Sequence, residues 1–341
     1  MKRFKNILLI CDDQSIHDAV IGRAIWLAKA NNARITLVDV IDAAPGELSK
    51  MFAALPRLRA RDFEYEVLEF HRSRLHRVAA PIKSEGIETA EFVLQGIPFL
   101  EIIRKVLRDG HDLVMKGAAG ESEGGSLFFA STDLHLLRKC PCPVWVMKKS
   151  GRKQYAKVLA AVDPDPEDDQ RNALNTLIMD LATSVSKMDG SELHVANVWS
   201  LEEEETLRHS GFARVDDAEV DLLVETKRRQ CEGKLNELLS HYPEEDAPRR
   251  VHLLKGQARD MIPAFAHKER VELIVMGTVG RTGIRGFFIG NTAEAILGQV
   301  DCSVLALKPP GFETPVHLDV EASLEADGED MSVETAVSGR S

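Results

Sequence analysis

The chain has 341 residues, enough for about two globular domains, and 44% of them are apolar, which excludes wholesale disorder. It carries 43 Lys and Arg against 54 Asp and Glu, a net charge of −11, so its surface repels phosphate backbones and anionic lipid headgroups. We therefore expect neither nucleic-acid binding nor insertion into a membrane.

The number and placement of the cysteines indicate the cellular compartment of the protein. There are five of them, an odd number, and most lie within apolar segments, which is typical of reduced thiols rather than of a disulfide framework. They are Cys11, Cys140, Cys142, Cys231 and Cys302. Because no apolar run approaches the roughly 20 residues of a membrane-spanning helix, the sequence predicts a cytoplasmic protein.

Short apolar runs alternate with segments of helical period along the first half of the chain, which is the pattern of an α/β fold. The runs predicted as strands are Asn6–Cys11, Arg34–Ile41, Ala90–Leu94, Asp112–Met115 and Val144–Met147. The helices predicted between them are Ile16–Ala30, Arg59–Ser84 and Phe99–Arg108. Strands connected by helices run parallel, with right-handed crossovers.

The second half shows the same alternation. Its predicted strands are Lys157–Val162, Glu192–Trp199, Arg250–Leu254, Glu272–Met276 and Ser303–Leu307. Its predicted helices are Gln170–Lys187, Asp217–Ser240, Asp260–His267 and Asn291–Leu297. The acidic run Glu202–Glu205 is interpreted as a solvated loop.

The two halves are copies of one domain. Asp112–Gly120 aligns with Glu272–Gly280 without a gap, at an offset of 160 residues, and the offset shrinks to 158 at the second strand. We predict domains at residues 1–149 and 155–309, each a five-stranded parallel sheet flanked by helices. Residues 311–341 carry eight Asp or Glu and one Arg, which predicts a disordered acidic tail.

A glycine-rich segment follows the fourth strand of the second copy and enters a helix near Asn291. Its glycines are Gly277, Gly280, Gly283, Gly286 and Gly290. Without side chains they let the backbone approach a ligand, and Arg281 and Arg285 add positive charge. The pattern favours a bound phosphate; a flexible turn with Asn291 as the helix cap is the alternative.

An aspartate directly follows the first strand of each copy, Asp12 and Asp163. A carboxylate at the ligand crevice of a doubly wound sheet can accept hydrogen bonds from a ribose or an adenine, while a turn or cap role is equally open. Neither turn has the glycine pattern of a dinucleotide site, and the chain lacks a Walker motif. These absences disfavour nicotinamide dehydrogenases and Walker ATPases.

Gly277, Gly280 and Gly290, separated by two and nine residues, resemble the nucleotide loop of the universal stress protein (UspA) superfamily. The resemblance implies a Rossmann-like fold with strand order 3-2-1-4-5 and a cytoplasmic stress-response role. It also implies ATP binding without a dedicated catalytic apparatus, so no catalytic residue and no metal site are expected, and a role for Mg²⁺ stays open. The implied nucleotide-binding residues are Asp163, Val198, Met276, Gly277, Gly280, Arg281, Gly290, Asn291 and Thr292.

The first copy departs from this pattern. Its counterparts of the site residues are Asp12, Val40, Gly117, Gly120 and Ser131. Ala130 replaces the final glycine, and Glu121 stands opposite Arg281, where its charge would repel a phosphate. We predict that the first copy does not bind ATP in the family manner.

The sequence leaves three functions open. The first is a binding and regulatory protein with ATP or a related phosphorylated ligand in its second domain. The second is a slow ATPase, and the third is a scaffold that holds an apolar metabolite or lipid fragment without nucleotide. The last strands of the two copies are exposed edges unless they pair, which predicts an intramolecular pseudo-dimer, with a homodimer of whole chains as a further alternative.

Overall fold

The computed structural model describes residues 4–12, 16–42, 60–118, 131–148, 154–209, 216–245, 248–278 and 290–318. The first half contains β1 (Asn6–Ile10), α1 (Asp18–Asn31), β2 (Arg34–Ile41), α2 (Ala60–Ser84), β3 (Thr89–Gln95), α3 (Pro98–Asp109), β4 (Leu113–Gly117), α4 (Ser131–Lys139) and β5 (Val144–Met147). The second half contains β6 (Lys157–Val162), α5 (Asp169–Asp189), β7 (Glu192–Trp199), α6 (Glu204–His209), α7 (Asp217–Ser240), β8 (Arg249–Lys255), α8 (Ala258–Glu269), β9 (Leu273–Gly277), α9 (Asn291–Leu297) and β10 (Ser303–Leu307).

All ten of these strands form one sheet, in the order β3-β2-β1-β4-β5-β10-β9-β6-β7-β8. Within each half the strands are parallel in the order 3-2-1-4-5, which confirms the predicted fold. The halves meet where β5 and β10 pair antiparallel, with Trp145 opposite Leu305. The last strands therefore pair with each other, as the sequence predicts, and neither is left as an edge.

Helices cover both faces of the sheet because all of those described except the short α6 bury residues against the strands. One core layer extends across both halves and contains Leu27 of α1, Leu75 of α2, Met179 of α5 and Leu235 of α7. The other face is covered by α3, α4, α8 and α9. No helix in the described part of the chain is long and apolar enough to cross a bilayer.

A buried ion pair joins the halves on the first face. The Arg23 guanidinium of α1 donates to both carboxylate oxygens of Asp189, the last residue of α5, over 2.8 Å each. The two side chains are 2% and 0% exposed. The guanidinium also lies over the Tyr155 ring, 4.4 Å from its centroid. The Arg23 guanidinium therefore joins the two halves by an ion pair, by two hydrogen bonds and by a cation–π contact.

A buried lysine joins the halves on the other face. Lys308, directly after β10, donates from Nζ to the Leu137 carbonyl of α4 over 2.7 Å and to Thr278 Oγ1 over 2.6 Å. Burial lowers the pKa of Lys308 to about 8, because the charged ammonium is disfavoured away from water. Nearby, Arg138 of α4 pairs with Glu294 of α9.

Two segments refine the sequence predictions. The prediction that the acidic run Glu202–Glu205 is a loop is wrong in part, because Glu204 begins α6. The Glu204 carboxylate pairs with Arg208, one helical turn later, over 3.2 Å and with Lys255 over 2.8 Å. Beyond β10 the described chain continues to Leu318, and Val316 is buried in the second core layer. The rest of the predicted acidic tail, residues 319–341, lies outside the described residues.

Candidate nucleotide site

The carboxyl ends of β6, β7 and β9 lie side by side, because β6 pairs with both of the others. Asp163 follows β6, Val198 lies near the end of β7, and Met276 and Gly277 end β9. In this register the predicted residues of three strands come to one edge of the sheet, where ligands of doubly wound sheets bind.

Two buried asparagines fix the turn after β6. Asn175 of α5 accepts a hydrogen bond from the Asp163 amide over 2.8 Å and donates to the Asp163 carbonyl over 2.9 Å. Asn197 of β7 donates to the Val162 carbonyl over 3.0 Å. The backbone of Asp163 is thereby held by side chains, and its own side chain is half-buried at the crevice. Sequence reasoning missed both asparagines, because a single buried amide leaves no spacing pattern.

A second carboxylate, Asp165, lies two residues further along. It accepts from Lys234 of α7 over 2.8 Å and from Arg171 of α5 over 2.6 Å. The hydrogen bond from Lys234 is the main cause that lowers the pKa of the Asp165 carboxyl. Lys234 and Arg171 are cations beside the turn that the sequence analysis did not single out.

Gly277 has a packing role. A side chain built on it would bring its Cβ within 2.6 Å of Leu174 Cδ2 in α5. The glycine therefore lets α5 lie close to the end of β9, and close approach to a ligand is not needed to explain it. Met276 before it is buried, 4% exposed, in the second core layer.

The two ends of the glycine-rich segment are tied together. The Gly290 amide donates to the Thr278 carbonyl over 2.9 Å, and the Thr278 amide donates to Leu307 of β10 over 3.1 Å. Asn291 and Thr292 are exposed in the first turn of α9. Two further predicted residues, Gly280 and Arg281, lie outside the described residues. The described anchors hold the segment at the same edge of the sheet as Asp163.

The first domain places the counterparts in the same way. Asp12 follows β1, Val40 lies half-buried in β2, Gly117 ends β4 and Ser131 begins α4. The remaining residues of its loop that the sequence analysis used are Gly120, Glu121 and Ala130, and all three lie outside the described residues.

A buried lysine distinguishes this domain from the second. Lys116 Nζ lies 2.8 Å from Asp133 Oδ1 in α4 and 3.2 Å from Asp12 Oδ2. The Lys116 side chain is 3% exposed and that of Asp133 is 0% exposed. At the offset of 160 residues, Lys116 stands opposite Met276 and Asp133 opposite Ala293. An internal ion pair thus replaces two apolar residues beside the loop, and the predicted Glu121 repulsion is not needed to set the domains apart.

A second charged cluster fills the end of β2. The buried Asp39 carboxylate accepts from Arg74 Nε of α2 over 3.0 Å and lies 2.6 Å from His71 Nδ1. The second domain has the uncharged Asn197 at this position. Burial, with smaller contributions from Asp39 and Asp12, raises the pKa of the neighbouring Cys11 thiol. Such a thiol is protonated and unreactive at neutral pH.

These features define a chain of two fused Rossmann-like domains, in which the first domain has a buried Lys116–Asp133 ion pair where the second has Met276 and Ala293. The chain belongs to the universal stress protein family, whose model matches residues 3–148 and 154–308. It is therefore a stress-response protein of the tandem type.

Its relatives span nearly the whole chain. Universal stress protein E of Escherichia coli K12 is 29% identical over 332 residues, covering 94% of this chain and 99% of the relative. A universal stress protein E homolog of Haemophilus influenzae is 25% identical, covering 90% of this chain and 98% of that protein.

Solved structures share the fold. A putative universal stress protein from Pseudomonas aeruginosa superimposes with a TM-score of 0.66 at 24% identity, covering 90% of this chain and 94% of that one. A universal stress protein from Archaeoglobus fulgidus superimposes with a TM-score of 0.62 at 19% identity, covering 89% and 98%.

Proposed function

We propose that this protein is a cytoplasmic binding and regulatory protein whose second domain binds ATP or a related phosphorylated ligand. The observation that carries the proposal is the gathering of Asp163, Gly277 and the anchored ends of the glycine-rich segment at one edge of the sheet. The fixed Asp163 backbone supports a role for its carboxylate in accepting hydrogen bonds from the adenosine portion. The free thiols of all five cysteines support a reducing compartment.

The contrast between the domains supports the choice of the second. In the first, the Lys116 ammonium is already neutralised by Asp133 and Asp12, so an incoming phosphate gains little from it. Displacing these carboxylates would leave a buried charge without its partner, which is costly. In the second domain, Met276 and Ala293 at the same positions pose no such barrier.

The carboxylates beside the crevice favour binding over hydrolysis. Asp165 is held by two cations that lower its pKa, so it is a poor general base near neutral pH. In the parts of the chain described by the structure, no group of three His, Cys, Asp or Glu side chains has the geometry of a metal site. A slow ATPase and a scaffold for an apolar metabolite are the alternatives that the experiments must separate.

Calorimetric titration of the whole chain with ATP tests the proposal. We expect one ATP per chain, and Asp163→Ala to weaken binding by roughly ten- to a hundredfold, the usual effect of losing a hydrogen bond to a charged group. The matched control is Asp12→Ala, which removes the corresponding carboxylate of the first domain and should leave ATP affinity unchanged. Two equivalent ATP sites, or equal losses in the two variants, would overturn the proposal.

Mass spectrometry of the ligand released from purified protein separates the alternatives. We expect a nucleotide or a related phosphorylated compound, whereas an apolar metabolite or lipid fragment would support the scaffold function. Single-turnover hydrolysis of radiolabelled ATP then tests the ATPase: turnover that is lost in Gly290→Asp but kept in Asp163→Ala would indicate an enzyme.

A further inference from the structure

A cleft lies at the amino ends of β1, β2 and β3 in the first domain, opposite to the carboxyl ends where Asp12 and Gly117 of this domain lie. It is open to solvent on one side, has a volume of about 360 Å³ and is lined by residues that include Arg34, Phe92 and His111. This volume falls in the lower part of the range, about 300–1,000 Å³, that small-molecule sites occupy. The cleft is therefore large enough for a small polar metabolite.

A buried imidazole lines the cleft. His111, between α3 and β4, is 5% exposed; its ring nitrogens make no hydrogen bond of standard geometry with the described residues, although the Asn6 backbone lies close enough to favour the protonated ring. The nearest carboxylate oxygen, Asp109 Oδ2, lies 3.8 Å from Nε2. Buried polar groups in proteins are nearly always hydrogen-bonded, so a ligand that pairs with this ring is favoured.

A guanidinium on the cleft wall is held in place from behind. Arg34 donates from Nε to Asn6 Oδ1 over 3.0 Å. Asn6 is fixed in turn, because its Nδ2 donates to the carbonyls of Asp109 and Gly110 over 2.8 and 3.2 Å. The terminal nitrogens of Arg34 have no partner in the described part of the chain, and a guanidinium fixed at Nε presents them to a carboxylate as a pair.

Acidic groups in the same cleft decide the sign of the ligand. Glu88 lines it directly before β3, and within the described ranges it has no ion-pair partner. Asp109 also lines it and is paired with Lys105 of α3 over 2.8 Å. A phosphate dianion would face both carboxylates, whereas a molecule that also carries an ammonium group would gain from Glu88.

The second domain fills the equivalent space with its own side chains. His194 stands where the first domain has Thr36, and His252 stands where it has Phe92. The two imidazoles are stacked, with Nδ1 of His194 3.0 Å from Nε2 of His252, and both rings contact Phe265. Val271 replaces His111. The combination of Arg34, Glu88 and His111 is thus particular to the first domain, because Glu192, Pro248 and Val271 stand at these positions in the second.

We propose that this cleft binds a small zwitterion of the size of an amino acid. The Arg34 guanidinium and the His111 ring hold its carboxylate, and Glu88 holds its ammonium group. The proposal does not depend on the nucleotide site, which lies in the other domain, beside β6, β7 and β9.

Proton–nitrogen NMR of the histidine rings tests it in the whole chain, with L-alanine, acetate, methylammonium and inorganic phosphate as probes. Burial holds the pKa of His111 below its ordinary value against the opposing effect of the Asn6 backbone, and the facing charges are Asp109, Lys105 and Arg34. A carboxylate beside the ring favours the protonated imidazole, so we expect L-alanine to raise the titration midpoint of His111. Acetate should act at least tenfold more weakly, and phosphate and methylammonium should have no effect.

His111→Val introduces the residue that the second domain carries and should abolish L-alanine binding measured by calorimetry. Arg34→Gln should weaken binding at least tenfold, and it keeps the His111 resonance as a readout if the first variant unfolds. His76→Gln is the control, because this histidine of the same domain is exposed. The absence of an L-alanine effect on His111, equal effects of acetate or phosphate, or unchanged binding in Arg34→Gln would overturn the proposal.

Discussion

Replacing Lys116 and Asp133 by Met and Ala, the residues of the second domain, should leave the first domain as stable as before or more stable. Both side chains are buried, at 3% and 0% exposure, and the two charges lie 2.8 Å apart, so each strongly favours the charged state of the other. Losing one partner of a buried ion pair typically costs about 3–5 kcal/mol, whereas replacing the pair by apolar residues is often neutral or stabilising by about 1–4 kcal/mol.

Each single variant should therefore be destabilised. Lys116→Met leaves the Asp133 carboxylate without its lysine, and we expect the larger loss here because Asp133 is fully buried. Asp133→Ala should cost less, since Lys116 keeps Asp12 at 3.2 Å and that carboxylate is 38% exposed. The sum of the two losses should exceed the effect of the double variant by several kcal/mol.

Urea unfolding of the four proteins measures this coupling. Tryptophan fluorescence reports on the first domain through Trp26 and Trp145, while Trp199 lies in the second. A full double-mutant cycle then gives the coupling free energy. Additive losses in the double variant would refute the assignment of these residues as a buried, mutually dependent pair.

Two further predictions concern pH. Since burial lowers the pKa of Lys308 from 10.5 to about 8, the unfolded chain binds more protons between these values, so stability should rise with pH across this window. Lys308→Met should remove that rise in urea unfolding curves, and an unchanged pH profile would contradict the assignment. Burial also lowers the pKa values of His194 and His252, so stability should fall as pH drops below about 6.5. His252→Phe introduces the residue that the first domain has at this position, Phe92, and should reduce the loss of stability at acid pH in thermal unfolding scans. His76→Gln changes an exposed histidine and should leave that loss unchanged.

The sheet could be predicted from the sequence because its signals are local and occur twice. Apolar runs such as Asn6–Cys11 stand out against helical segments, and the constant offset aligns one copy with the other. Pairing of the last strands followed from a general requirement, since an apolar edge strand must be covered. In the second domain Asp163 and the described ends of the glycine-rich segment, Gly277 and Gly290, lie at the same edge because parallel strands end together.

The internal charge pairs could not be predicted, because they join residues that share no spacing pattern. Lys116 and Asp133 lie on a strand and a helix, and only the packing of α4 brings them to 2.8 Å. The offset placed Lys116 opposite Met276, which was the one available signal. The stacked His194 and His252 are 58 residues apart on neighbouring strands, so their contact depends on the register of β7 and β8.

The ion pair between Arg23 and Asp189 has a consequence for how the two copies recognise each other. In a symmetric dimer every contact occurs twice, but this one occurs once: Asn31 ends α1 where Asp189 ends α5, and Leu181 occupies the place of Arg23. Two first domains brought together would set each buried guanidinium against an asparagine, and two second domains would set each buried carboxylate against a leucine. The contact thus disfavours pairing of two first domains or of two second domains and favours pairing of a first with a second domain. Because both domains belong to one chain, this pair forms at any protein concentration.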